Sequence, residues 1–87
     1  MQTANLKDRV LSREQLQRFK DALLGYMGRF RAKEESLPGD RLRLTECRVE
    51  LNPQEEIKLS QERPNFDEGQ HWQGVLALCQ THGFEQA

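Results

Sequence analysis

The residues of this chain best suited to chemistry are two cysteines and two histidines, and three of the four fall in its last stretch: His71, Cys79 and His82. Cys79 and His82 are spaced i,i+3, which puts them on one side of a helix. His71 lies eleven residues before His82, with Glu68 earlier still, and Cys47 stands far upstream. Thiolate, imidazole and carboxylate are the ligands that a structural zinc site takes in a tight tetrahedron. These ligands, however, spread over several turns of one helix, and neither CxxC nor HExxH occurs. No metal is expected. A Cys79–His82 nucleophile is no better placed, because the negative end of a helix raises a thiol pKa. Both cysteines sit among apolar positions and read as small buried hydrophobes.

The remaining chemical candidates are equally plain. Glu34-Glu35, Glu55-Glu56 and Asp67-Glu68 are carboxylate doublets in expected loops and turns, and they read as solvated charge rather than an acid/base pair. There is no GxGxxG and no GxxxxGK[ST] to cradle phosphates. An 87-residue chain with 24 large apolar side chains builds one small core, with little room for a closed pocket. No catalytic residue and no cofactor is expected, and the protein reads as non-enzymatic.

Charge is more informative. The net charge is -1. Residues 1–48 nevertheless hold eleven Lys/Arg against seven Asp/Glu, while residues 49–87 hold two against seven. That asymmetry fits an anionic partner for the first half, or attraction between the two halves, in the fold or in a head-to-tail pair. Two cysteines are too few for a disulfide scaffold, no basic leader runs into an apolar stretch, and no segment approaches a membrane span. The expected location is the cytoplasm, without membrane contact.

The elements that must position these residues follow from periodicity. Residues 1–11 carry a weak signal and read as a flexible or short helical arm. Ser12 followed by Gln15 is a capping box, with Leu11 and Leu16 as its hydrophobic staple. Leu16, Phe19, Leu23, Tyr26, Met27 and Phe30 then recur at steps of three and four, which predicts one helix to about Glu35, ended by Pro38-Gly39. Gly25 and Gly28 are odd there, each costing about 1 kcal/mol against alanine. On that helix Asp21, Gly25, Gly28 and Ala32 form a groove of small residues behind the apolar stripe, flanked by Arg18 and Arg29.

Downstream, Leu42 and Leu44 alternate with arginines, and Cys47, Val49 and Leu51 alternate one residue out of phase. A β-bulge at Thr45-Glu46 keeps both sets on one face. Asn52-Pro53-Gln54-Glu55 suits a turn into a second strand over 56–60, although Asn52 as N-cap and Pro53 at N1 would equally start a helix. Asp67 caps a last helix through Trp72, Val75, Leu76 and Cys79. His82 is its C-cap, Gly83 its left-handed C′ residue, and Phe84 folds back on Cys79.

The expected fold is α+β: one domain over 1–87, helix–β-hairpin–helix (αββα), with the helices on one face of a short antiparallel sheet. A two-stranded hairpin leaves both edges unpaired. Nine arginines stand against four lysines, and arginine is favoured in interfaces. The expected function is therefore a small protein-interaction module, such as a subunit, adaptor or inhibitor of a larger assembly, with homo-oligomers in reach. Its expected contact residues are Arg18, Asp21, Gly25, Gly28, Arg29 and Ala32. The alternative is a nucleic-acid-associated regulator using Arg18, Arg29, Lys33, Arg41 and Arg43.

Overall fold

Ser12 starts the first helix as its sequence requires. Its hydroxyl accepts from the Gln15 amide at 3.1 Å, and the Gln15 side chain accepts from the Ser12 amide at 3.0 Å. The computed structural model describes residues 2–51 and 53–87. It shows β1 (Gln2–Asn5), β2 (Arg9–Ser12), α1 (Arg13–Leu24), β3 (Gly28–Leu37), β4 (Arg41–Leu51), α2 (Pro53–Glu62) and α3 (Glu68–Thr81). The α+β class is as expected, but the αββα order is not.

The first correction concerns the long helix. It stops at Leu24, eleven residues before Glu35, and Gly25-Tyr26-Met27 turns the chain into β3. Met27 takes φ +57, a left-handed conformation that no helix continues through. Leu16, Phe19 and Leu23 are the buried helical positions. Phe30 reaches the same core from a strand, so a helical spacing in the sequence crosses two elements.

The hairpin is also displaced. It joins β3 to β4 around Pro38-Gly39-Asp40, with Gly39 and Asp40 at positive φ. Residues 53–62 are helical, so the strand expected over 56–60 is absent, and the Pro53 helix start is the reading that holds. Asn52 lies outside the described residues. Leu59 is buried while Ile57, two residues away, is 57% exposed, as opposite sides of a helix allow.

β4 is the central strand. β3 pairs antiparallel along one flank. β1 and β2 are two halves of a broken strand along the other, opposite residues 48–51 and 41–44. The break has a local cause. The expected bulge is present: Arg31 pairs with Arg48 but Lys33 with Thr45, and Glu46 has φ +53. The extra residue shifts the register on the β3 side and interrupts pairing on the other, where the Leu6 amide to the Cys47 carbonyl at 2.8 Å spans the gap. Residues 1–11 are thus not an arm: from Gln2 they supply most of a sheet edge.

The bulge keeps Leu42, Leu44, Cys47, Val49 and Leu51 on one face, where all five are buried. Leu16, Phe19 and Leu23 of α1, Val75 and Cys79 of α3, and Leu6, Leu11 and Phe84 complete the same cluster. Phe19 stacks on Phe84 at 4.5 Å between ring centres. Each such side chain contributes about 1.5–3 kcal/mol on burial. α3 ends as its sequence predicts: the Gly83 amide bonds to the Gln80 carbonyl and the Phe84 amide to the Cys79 carbonyl, with Gly83 at φ +83.

Candidate functional site

β3 is an open edge of the sheet. Along its ten residues every strand pairing among the described residues goes to β4. On the opposite edge the chain covers the gap between β1 and β2: the Lys7 amide bonds to the Glu85 carbonyl, the Ala87 amide to the Asn5 carbonyl, and Leu6 bridges to Gln86. A Lys7–Glu85 ion pair at 3.3 Å lies beside those bonds. Among the described residues β3 is the longest strand without an outer partner, ten residues against four each in β1 and β2, and it presents a row of amides and carbonyls outside the ladder.

A groove runs beside that edge, between α1 and β3. Its larger part, about 470 Å³, is lined by Lys20, Asp21, Leu23, Leu24 and Gln17 from the helix and by Gly28–Arg31 from the strand. A smaller depression of about 230 Å³ continues it, sharing Lys20, Phe30 and Arg31 and reaching Ala32, Glu34 and Leu44. Leu24 is 70% exposed at the end of α1, on the groove wall. Gly28 is buried here, and a β-carbon on it would stand 3.2 Å from the Leu23 side chain.

The sheet face turned away from the core is cationic. Period-two alternation sends Arg29, Arg31 and Lys33 of β3 and Arg41, Arg43 and Arg48 of β4 to this side. Acids are interspersed. Arg31 meets Glu50 at 2.8 Å, Arg43 meets Glu35, Lys33 meets Glu46 and Arg29 meets Glu55, each of the last three at 3.4 Å. These cations are half-exposed or more, so each pair is worth about 0–1 kcal/mol. Arg41 has no ion pair among the described residues. The Arg29–Glu55 contact is one place where the basic first half and the acidic second half meet.

The expected groove on the back of one helix does not exist, because α1 ends before most of it. Gly25 is the exposed C-cap of α1 with helical φ -62, Ala32 is half-buried facing the core, and Arg29 lies on the outer sheet face. Arg18 sits on the other flank of α1, paired with Glu14 at 2.6 Å. Asp21, Gly28 and Arg29 do come together, now across the groove between α1 and β3. Of the five residues named for nucleic acid, Arg29, Lys33, Arg41 and Arg43 share the outer sheet face and Arg18 is separate.

The cysteines and histidines go to packing. Both cysteines are buried free thiols. Burial pushes the Cys79 thiol up to about 11, and it raises Cys47 too, helped by the negative charge of Asp8. His71 holds the turn after α1, its Nε2 2.8 Å from the Tyr26 carbonyl and its ring between Tyr26 and Phe66. Among the described residues no group of three His, Cys, Asp or Glu side chains converges to hold a metal ion, and no helix is long and apolar enough to cross a membrane.

Comparison with known proteins returned no match: no family model, no curated protein and no solved structure matches this chain. The site stands on its own geometry. Sequence reasoning missed Lys20, Leu24, Phe30 and Arg31 as groove residues. The alternation Arg29-Phe30-Arg31-Ala32-Lys33, which the helical spacing of Leu23, Met27 and Phe30 overlaid, could have found Phe30 and Arg31; Lys20 and Leu24 carry no such signal.

Proposed function

We propose that this protein is a non-enzymatic interaction module that binds a protein partner along β3. One observation carries the reading: β3 has no outer partner among the described residues over its ten residues, and a groove runs beside it, while the C-terminal residues cover the middle of the other edge. Such a pairing of strand edge and groove is the geometry of strand addition, in which main-chain bonds supply affinity and side-chain pockets supply specificity. Function then consists of occupying or presenting a surface, as a subunit, adaptor or inhibitor does.

The test is affinity capture from nuclease-treated lysate with the native chain and with a Leu24→Asp chain. Leu24 is exposed, so its replacement leaves the core intact. A protein retained by the native chain and lost with the variant supports the reading. Retention of nothing, or equal retention by both chains, overturns it.

A second reading rests on the outer sheet face, where Arg29, Arg31, Lys33, Arg41, Arg43 and Arg48 gather. A nucleic acid lying across it would be held through phosphates. Neutralising about six phosphates of a single strand makes affinity fall by about 300-fold between 50 and 200 mM salt. In this reading a labelled single-stranded oligonucleotide binds at low salt, and Arg41→Glu with Arg43→Glu abolishes binding. The interspersed Glu35, Glu46, Glu50 and Glu55 weigh against it.

A further inference from the structure

Strand addition at β3 has a definite chemistry. A strand docked beside β3 sends alternate side chains to the two faces of the sheet. On the core side they meet Leu24 and Phe30, rimmed by Lys20 and Asp21, in the first depression and Phe30 and Ala32, rimmed by Lys20 and Glu34, in the second. The two depressions succeed one another along the strand, as consecutive inward side chains of a docked segment require. On the outer side the docked residues stand against Arg29, Arg31 and Lys33, three cations at successive outward positions.

These cations keep capacity for a second carboxylate. Arg31 meets Glu50 through Nε and Arg29 meets Glu55 through one terminal nitrogen. A guanidinium carries five N–H donors. Lys20, at the groove rim, has no ion pair among the described residues.

Building on strand addition as the function, we propose that β3 takes an extended segment of a partner protein in which apolar residues alternate with acidic ones, the apolar set entering the α1–β3 groove and the acidic set facing Arg29, Arg31 and Lys33. A second copy of this chain is the competitor. Antiparallel pairing of β3 with itself centred on Phe30, Arg31 or Ala32 sets cations directly opposite cations, which is destabilising, whereas registers centred on Lys33 or Glu34 set Arg31 or Lys33 opposite Glu35. The cations at Arg29, Arg31 and Lys33 favour an acidic segment over a basic one.

The experiment uses the full chain with ¹⁵N-labelled amides and three synthetic ten-residue peptides. One alternates valine and glutamate, one alternates valine and lysine, and one carries five valines followed by five glutamates. The expected result is that the alternating acidic peptide shifts the amides of Gly28–Leu37 and Leu24. It binds at least tenfold more tightly than the other two, and Arg29→Gln with Arg31→Gln removes that preference. Equal binding of the lysine peptide at β3 overturns the acidic preference and leaves strand addition standing. No shift at β3 with any peptide overturns both. β3 amides already protected in a dimer without peptide assign the edge to a second copy and overturn the proposal.

Discussion

Arg9 donates from Nη1 to the main-chain carbonyl of His82 at 2.6 Å, across 73 residues of sequence. The contact satisfies a carbonyl at the C-terminal end of α3, where the helix leaves acceptors without partners and the dipole favours a cation. It also lays the guanidinium over the Phe84 ring, 5.4 Å from its centre. One side chain of β2 thereby ties the last helix to the sheet edge.

Arg9→Ala removes both contacts. A hydrogen bond to a charged donor is worth about 1.5–3 kcal/mol and a cation–π contact about 0.5–1 kcal/mol. Urea unfolding should show a loss of about 1–3 kcal/mol, since the site is only partly buried. A midpoint within error of the native chain contradicts the assignment.

Gly83 is coupled to that arginine. Its φ is +83, and a β-carbon there would fall on the Arg9 guanidinium. Gly83→Ala should therefore cost the left-handed penalty of about 1–2 kcal/mol and also displace Arg9. With Arg9→Ala already in place only the backbone penalty remains. A double-mutant cycle should give a combined loss smaller than the sum of the two single losses; strict additivity refutes the coupling.

The cap of α1 is a local test. Ser12→Ala leaves the Gln15 amide without its acceptor and should cost about 0.5–2 kcal/mol. Ser12→Asp should recover most of it, because a carboxylate accepts the same bond at the positive helix end. Thermal unfolding of the three chains decides this.

The thiols give a pH dependence. The folded Cys79 pKa lies at about 11, above its ordinary 9.0, because burial disfavours the thiolate. The fold thus favours the protonated thiol. This contribution is fully present below about pH 9 and is lost as pH rises through about 11. Stability should fall across that interval, and less so in Cys79→Ala once its lower starting stability is subtracted. At about pH 8 a disulfide reagent should titrate both thiols quickly only after unfolding.

Several elements were legible because their causes are local. The capping box at Ser12, the bulge at Thr45-Glu46 and the Schellman ending through Gly83 each rest on a few neighbouring residues, and each appears where the sequence placed it. Gly25 and Gly28 were also telling. Their helix cost marks the place where α1 ends and β3 begins, although as a groove on one helix they do not exist.

Other features depended on partners distant in sequence. Residues 2–12 have too weak a pattern to declare themselves, and they become strands because β4 offers a flank on which their amides pair. Phe30 fits a helical stripe as well as a strand, and β4 decides between them by pairing with residues 28–37. The α+β class, the caps, the bulge and the buried face of β4 were thus written into the chain locally, because hydrophobic periodicity and turn chemistry act over a few residues. The open edge at β3, the covering of residues 5–7 by the C-terminal residues, and the facing of Lys20 and Leu24 with Phe30 across a groove arose only on folding. They come from hydrogen bonds and packing between segments tens of residues apart, for which the sequence carries no local period.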